Sequence, residues 1–530
     1  MRDWTLAFLS FLLLLFCSGS SAATRHTFTS TRTTDSGLTY VKNSGICETT
    51  AGIGQISGYI NLAKNASMWF WFFEARNSPD TAPLTLWING GPGCSSMIGL
   101  FQETGPCQVN PDSKSTTLNP YSWNNISNMI YIDQPIGAGF STGTATVNST
   151  DDAAPMIWAA FQILFESPEF SAFQGRQLIF ATESYGAHMA PVFIAYFNSQ
   201  NALIDSGKLT GQKIGFTQLM ISDGKHDPLI QYASYITFAA DAPGYGPLQN
   251  ASVISSMSEA FTEKNGCQDQ LEACYAAGTT HADDDLCAAA DDLCTQGVFF
   301  PATRGRDADD LRQFANTTDP FPFSYYIDYI QSKSVMDAIG ATSQYDACNA
   351  DIKAGFGSTG EFGRTALPPL AALANAKFPI LIWVGDADIK ANWLGVHEAM
   401  VSMNWYGNET LNNTALTNMT IDGTPVASIK AVDSFTFRYF TAPILAAPLT
   451  ASPSRVFGAG HNLPAYVPKT AFTFFSQVVQ KQQIHSVASS SATTPAASPS
   501  ASAHSGNSLP ATIPWWWCWA VVALGLVPHH

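Results

Sequence analysis

The sequence predicts an α/β fold with a mostly parallel central sheet, on three observations. Three apolar runs each break off at a residue suited to chemistry. They are Ile179-Phe-Ala-Thr-Glu-Ser-Tyr-Gly-Ala187, Pro379-Ile-Leu-Ile-Trp-Val-Gly385 leading into Asp386-Ala387-Asp388, and Arg455-Val-Phe-Gly-Ala-Gly460 leading into His461. Short runs of this kind, apolar on both faces, read as strands of a sheet covered on both sides. Reactive groups just past such strands sit where an open parallel sheet places its site.

The first run has the pattern of a nucleophile elbow. A strand stops, the chain turns sharply, a helix starts, and the Ser184 hydroxyl is left exposed at the tip. Gly186 and Ala187 let the turn close against the helix that follows. Thr182 stands where the usual G-x-S-x-G has its first Gly, so these residues alone also fit an ordinary strand-to-helix turn. A serine nucleophile needs an imidazole to take its proton and a carboxylate to orient that imidazole. Around such an elbow they follow in the order Ser, Asp, His. Asp386 or Asp388, then His461, supply that order. Pattern alone does not separate the two Asp residues, and either suits a turn.

Leu84-Thr-Leu-Trp-Ile-Asn-Gly-Gly-Pro-Gly-Cys-Ser-Ser96 is a fourth strand that breaks into a glycine-rich loop. Gly90 and Gly91 allow close backbone approach and turn N–H groups inward. A tetrahedral oxyanion needs such donors, each worth about 3 kcal/mol. The bland alternative is a tight turn. A phosphate loop is excluded, because no Gly-Lys-Ser/Thr follows.

Further blocks extend the pattern: Ile46-Cys47-Glu-Thr-Thr, Ser57-Gly-Tyr, Trp69-Phe-Trp-Phe-Phe-Glu-Ala-Arg76, Gln102-Glu-Thr-Gly-Pro-Cys107, Ser122-Trp-Asn and Tyr131-Ile-Asp-Gln-Pro-Ile-Gly137. With the segments above, they make the chain resemble the serine carboxypeptidases, above all the secreted fungal members, over residues 45–480. The resemblance implies an α/β-hydrolase fold with a disulfide-rich helical and loop insertion capping the active site. It implies release of C-terminal residues from peptides and proteins through an acyl-enzyme, without cofactor or metal. The family takes the second Asp of Gly-Asp-x-Asp into its triad, which gives Ser184, Asp388 and His461. Its oxyanion hole corresponds to the N–H groups of Gly91 and Tyr185. Its device for the substrate carboxylate corresponds to Trp87, Asn89, the N–H of Gly90, Glu103 and Glu183. Two carboxyls held close cannot both ionise cheaply, so one keeps a proton. That proton can be donated to the substrate carboxylate, which implies acidic working conditions.

The chain departs from the family pattern at several positions. Ala391 replaces a Cys shortly after the triad Asp, and Asn462 replaces a Met that often follows the His. Asp223 stands for an Asn, and Thr182 and Ala187 for two elbow glycines. The first two lie where a substrate side chain packs, so they bear on side-chain preference. Two other function classes compete. An esterase or acyltransferase on this scaffold keeps the triad but has no need of Glu103, Glu183 and Asn89. A non-catalytic cell-wall glycoprotein has no need of a triad.

At 530 residues and 46% hydrophobic, the chain can bury a sizeable core. Its net charge of −16, with 25 Lys and Arg, argues against nucleic acid or an anionic lipid surface as partner. Oligomeric state is not legible. Residues 1–22 read as a secretory signal: Arg2, an apolar run from Leu6 to Phe16, then small residues to Ala22. The catalytic domain is expected over 23–485, with the insertion at about 224–345. A Ser/Ala/Thr/Pro-rich stalk follows over 486–512. The hydrophobic tail 513–530 is short for a spanning helix, and small residues Ser505, Gly506 and Asn507 precede it. That is the pattern of a glycolipid (GPI) anchor signal, with a retained membrane tail or plain secretion as alternatives.

Of 10 Cys, Cys17 falls in the signal and Cys518 in the tail, which leaves eight in an oxidising context. The symmetric spacing of Cys267, Cys274, Cys287 and Cys294 suggests nested pairs 267–294 and 274–287, with a metal cluster as the alternative. The family's pairing of its Gly-Cys-Ser-Ser cysteine corresponds to Cys94 with Cys348, and Cys47 and Cys107 remain. Glycosylation sequons occur at Asn65, Asn125, Asn148, Asn250, Asn316, Asn408, Asn412 and Asn418. Strands are expected over 57–62, 68–73, 84–89, 128–132, 177–181, 379–385 and 453–458.

Overall fold

A computed structural model describes residues 24–144, 146–278, 281–439 and 458–488. The expected signal, nearly all of the stalk, the tail with Ser505, Gly506 and Asn507, and the strand over 453–458 except Gly458 lie outside the described residues.

In chain order the strands are β1 (Arg25–Thr29), β2 (Gly37–Lys42), β3 (Gln55–Ala63), β4 (Ala66–Phe73), β5 (Leu84–Ile88), β6 (Cys107–Val109), β7 (Thr116–Leu118) and β8 (Asn128–Ile132). They continue with β9 (Thr142–Gly143), β10 (Leu178–Glu183), β11 (Gln218–Ser222), β12 (Ile380–Val384), β13 (Thr417–Ile421), β14 (Thr424–Val432) and β15 (Phe435–Tyr439). One sheet runs β1-β2-β3-β4-β8-β5-β10-β11-β12-β15-β14-β13, with β9 on β4; β6 and β7 pair separately. Its centre, β8-β5-β10-β11-β12-β15, is wholly parallel. Antiparallel strands extend it on both sides.

The central strands are apolar along their whole length because both faces are covered. Leu86, Ile88, Phe180, Ile221 and Ile382 face a core that includes Phe161 and Phe193. These two residues belong to α1 (Thr150–Glu166) and α2 (Gly186–Asp205). Trp87, Ile179, Met220 and Trp383 alternate with them and face the opposite core. There Trp123 stacks on Phe475, ring centres 4.0 Å apart. Burial of such aromatic surface dominates core energetics. The Ser149 hydroxyl starts α1 by accepting from the Asp152 N–H at 3.1 Å, with Asp151 and Asp152 in the favourable first turn.

Between β11 and β12 the chain is mostly helical. It includes α3 (Pro228–Ala240), α4 (Ala251–Thr262), α5 (Cys267–Ala277) and α6 (Asp284–Cys294). Phe238, Met257, Leu271 and Val298 build a third core there. Disulfides Cys267–Cys294 and Cys274–Cys287 tie α5 to α6, so these four cysteines hold each other and not a metal. Cys47–Cys107 and Cys94–Cys348 complete the described set. Among the described residues no helix is long and apolar enough to cross a membrane. Of the sequons, Asn65, Asn250, Asn316, Asn412 and Asn418 are exposed, whereas Asn125, Asn148 and Asn408 are half-buried.

Candidate active site

Ser184 follows the last residue of β10 and precedes α2, with φ of 57°. For a residue with a Cβ, that left-handed backbone is strained, and such strain collects at functional turns. Local bonds hold it. The Ser184 N–H donates to the Ser222 carbonyl at 3.0 Å, and the Ser184 carbonyl accepts from the Lys225 N–H at 3.0 Å. The elbow also explains Thr182. Its hydroxyl donates to the Ile88 carbonyl at 2.6 Å, and a Cβ on Gly186 would fall 1.7 Å from that hydroxyl. Thr182 thus ties β10 to β5 in a way that only glycine at 186 permits.

The glycine-rich loop lies against this turn. A Cβ on Gly90 would come within 2.5 Å of the Tyr185 nitrogen, and Gly91 has φ of 107°. Gly90, Gly91, Ser184 and Tyr185 share the wall of one cavity of about 1230 Å³. His461, Asn89 and Glu183 line it too, as do Lys225, Tyr232 and Asp291 from the helical segment.

Asp388 and His461 are both buried, and His461 Nδ1 lies 2.8 Å from Asp388 Oδ2. Burial pushes the imidazole pKa down, but the Asp388 charge and hydrogen bond outweigh it and leave His461 above its ordinary value. Asp386 points elsewhere: its Oδ1 accepts from the Ala459 N–H and the Tyr245 hydroxyl, both at 3.2 Å. It pins the loop that carries His461. Among the described residues no hydrogen bond joins the Ser184 hydroxyl to His461; such contacts commonly tighten only once substrate is bound.

Segment 308–311 braces both turns. The Ala308 carbonyl accepts from the Ile389 and Lys390 N–H groups at 3.1 and 2.9 Å, and the Leu311 N–H donates to the Ala387 carbonyl at 2.9 Å. The Asp309 carbonyl accepts the His461 N–H at 2.8 Å. The Asp309 carboxylate is paired with Lys390.

Beside His461 lies a buried carboxyl pair. The Trp87 indole N–H donates to Asn89 Oδ1 at 2.7 Å, and Gly99 N–H donates to the same oxygen at 3.0 Å. Asn89 Nδ2 is thereby aimed at Glu183 Oε1, 2.7 Å away. Glu103 comes from a π-helical turn over Gly99–Thr104, and its carboxyl is hydrogen-bonded to that of Glu183. Burial pushes Glu103 up to about 7. Burial and the Glu103 charge hold Glu183 well above the carboxylate range. Asn89, Gly90 and Glu183 are on the cavity wall. Trp87 and Glu103 are buried next to them, Trp87 bonded to Asn89 and Glu103 to Glu183. A sixth group joins the set unforeseen, because Asn462 Nδ2 donates to Glu183 Oε1 at 3.1 Å and approaches Glu103 Oε1 at 3.4 Å. Its signal in the sequence was a polar side chain next to His461.

Asp223 also has a positive φ, 47°, and its Oδ1 accepts the Gly385 N–H at 2.7 Å. Burial, then the Asp388 charge, raise it well above the ordinary range. Protonated, it braces the turn into Asp386 without adding charge beside Asp388. Among the described residues, no three His, Cys, Asp or Glu side chains are grouped to hold a metal.

A family model described as serine carboxypeptidase matches residues 46–481. The chain belongs to the serine carboxypeptidase family. Carboxypeptidase S1 of Penicillium janthinellum is 42% identical over 451 residues, 84% of this chain and 100% of that protein. Carboxypeptidase Y homolog A of Fusarium vanettenii is 31% identical over 431 residues, 80% of this chain and 74% of that one. The structure of Kex1Δp, a prohormone-processing carboxypeptidase of Saccharomyces cerevisiae, matches with TM-score 0.66 at 20% identity over 81% of this chain and 91% of its own, which shows the shared fold. Serine carboxypeptidase activity and an α/β-hydrolase architecture follow for this chain.

Proposed function

We propose that Ser184, His461 and Asp388 carry the serine carboxypeptidase reaction on peptides held by their free C-terminal carboxylate. The observation that supports this most is the convergence, in one cavity, of the elbow, the His461–Asp388 pair at 2.8 Å and the Glu183 carboxyl backed by Glu103. Ser184 Oγ attacks the last peptide carbonyl while His461 takes its proton. The N–H groups of Gly91 and Tyr185 stabilise the oxyanion. His461 returns the proton to the departing C-terminal residue, and water then cleaves the acyl-enzyme. Trp87, Asn89, the Gly90 N–H, Glu103 and Glu183 form the set that holds the substrate carboxylate.

The carboxyl pair separates a carboxypeptidase from an esterase on the same scaffold. As pH rises, Glu103 ionises first, near 7, and Glu183 keeps the shared proton to higher pH; once that proton leaves, the ionised pair repels the substrate carboxylate. As pH falls below the raised pKa of His461, the base is protonated and every substrate is turned over more slowly. Free-acid peptides are therefore expected to work best at lower pH than amides or esters, which see only the His461 limb. Converting both Glu103 and Glu183 to Gln is expected to lower kcat/KM for a blocked dipeptide at acidic pH, mainly through KM. The corresponding amide suffers less. Equal losses on both substrates would favour the esterase reading.

Disulfides in four described pairs fit a protein matured in the secretory pathway. The tail composition extends this to glycolipid attachment at Ser505–Asn507, with glycans on the exposed sequons. Phospholipase that cuts glycolipid anchors is expected to release the enzyme from cells, and deleting 513–530 to release it without treatment. Enzyme free in the medium that still carries 513–530 by mass spectrometry would exclude the anchor.

A further inference from the structure

We propose that Asn462 is a positioning residue for the carboxyl pair: it clamps Glu103 and Glu183 into one hydrogen-bonded unit beside His461 and so tunes that unit for a C-terminal carboxylate. This rests on the carboxylate-reading role proposed above. The amide nitrogen of Asn462 has two hydrogens, and the two carboxyls lie within reach of both, at 3.1 Å from Glu183 Oε1 and 3.4 Å from Glu103 Oε1. Glu183 Oε1 also accepts from Asn89. Amide donors therefore converge on the Oε1 edge of the pair. The Oε2 atoms of Glu103 and Glu183 are both buried without an amide or hydroxyl donor. The shared proton belongs there, between the two carboxyls, and Asn462 fixes that arrangement by holding the opposite edge.

A thioether at this position, the family's frequent choice by resemblance, has no N–H to give. Without the amide the pair keeps its contact with Asn89 and its burial, but loses a donor that favours its ionised form. The other titratable groups facing the pair are His461, Asp223 behind β11, Tyr131 on β8 and Tyr326 from the helix Tyr325–Gln331. Burial, joined at Asp223 by the Asp388 charge, holds Asp223 well above the carboxylate range and both tyrosines above their ordinary value. His461 sets the acid limb for all substrates alike. The alkaline limb seen only with free-acid peptides thus reports the pair.

The test measures kcat/KM against pH for a blocked dipeptide and its amide, in wild type, Asn462→Leu and isosteric Asn462→Asp. Titration of Ser184 with a fluorophosphonate counts intact sites in each preparation. In Asn462→Leu the free-acid alkaline limb is expected to move up by about one pH unit, the scale of one lost hydrogen bond, with the amide profile unmoved. In Asn462→Asp a third carboxyl joins the pair, and KM for the free acid is expected to rise about tenfold while KM for the amide holds. An unmoved alkaline limb in Asn462→Leu, or equal KM changes for acid and amide in Asn462→Asp, overturns the proposal. A wild type that fails to distinguish acid from amide overturns instead the underlying carboxylate-reading role.

Discussion

Ser184→Ala is expected to lower kcat by a factor on the order of 10⁶ and leave the protein folded. The loss is large because the acyl-enzyme forms on the Ser184 hydroxyl, and alanine has no nucleophile to put in its place. The fold is spared for three reasons. Alanine adopts the same left-handed backbone, at φ of 57°, with little added strain. The elbow is held by main-chain bonds to Ser222 and Lys225. Its close packing depends on Gly90, Gly186 and Thr182, none of which changes. Burst kinetics with an activated ester and thermal melting measure the two halves of this prediction. A serine-directed organophosphate should label Ser184 in wild type, and labelling of any other residue would end the assignment.

The second large effect separates two neighbouring acids. Asp388→Asn is expected to lower kcat about 10⁴-fold, because an amide facing His461 Nδ1 turns the ring to the wrong tautomer. Asp386→Asn keeps an oxygen for the Ala459 N–H and the Tyr245 hydroxyl, so its effect should fall on melting temperature and much less on kcat. The reverse ranking would reassign the triad.

The parallel centre of the sheet was legible because strands covered on both faces leave uninterrupted apolar runs. Where those runs stop, at Ser184, Asp386 and the Gly90–Gly91 loop, the reactive residues stand out against them. The hairpins β13–β15 were not anticipated. Half-exposed strands such as Thr417–Ile421, with polar residues at 417, 418 and 420, break strict alternation and resemble surface loop. Within the site, the family pattern pointed to Trp87 and Glu103, but their contacts needed the packed structure: Trp87 holds Asn89, and Glu103 pairs with Glu183. Asn462 was visible as a departure from a pattern, but its role depends on two carboxyls that are 279 and 359 residues away in sequence.

The brace at 308–311 bears on how such enzymes can be re-engineered. Grafting the helical segment between β11 and β12 from one relative onto another is an obvious route to altered substrate preference, since that segment supplies Tyr232 and Asp291 to the cavity. In this chain the same segment hands a backbone carbonyl to the His461 N–H and stitches the Asp386–Lys390 turn in place. A transplant is then also a transplant of the scaffolding for proton transfer. Chimeras whose junctions leave 308–311 native should retain turnover more often than those that exchange it.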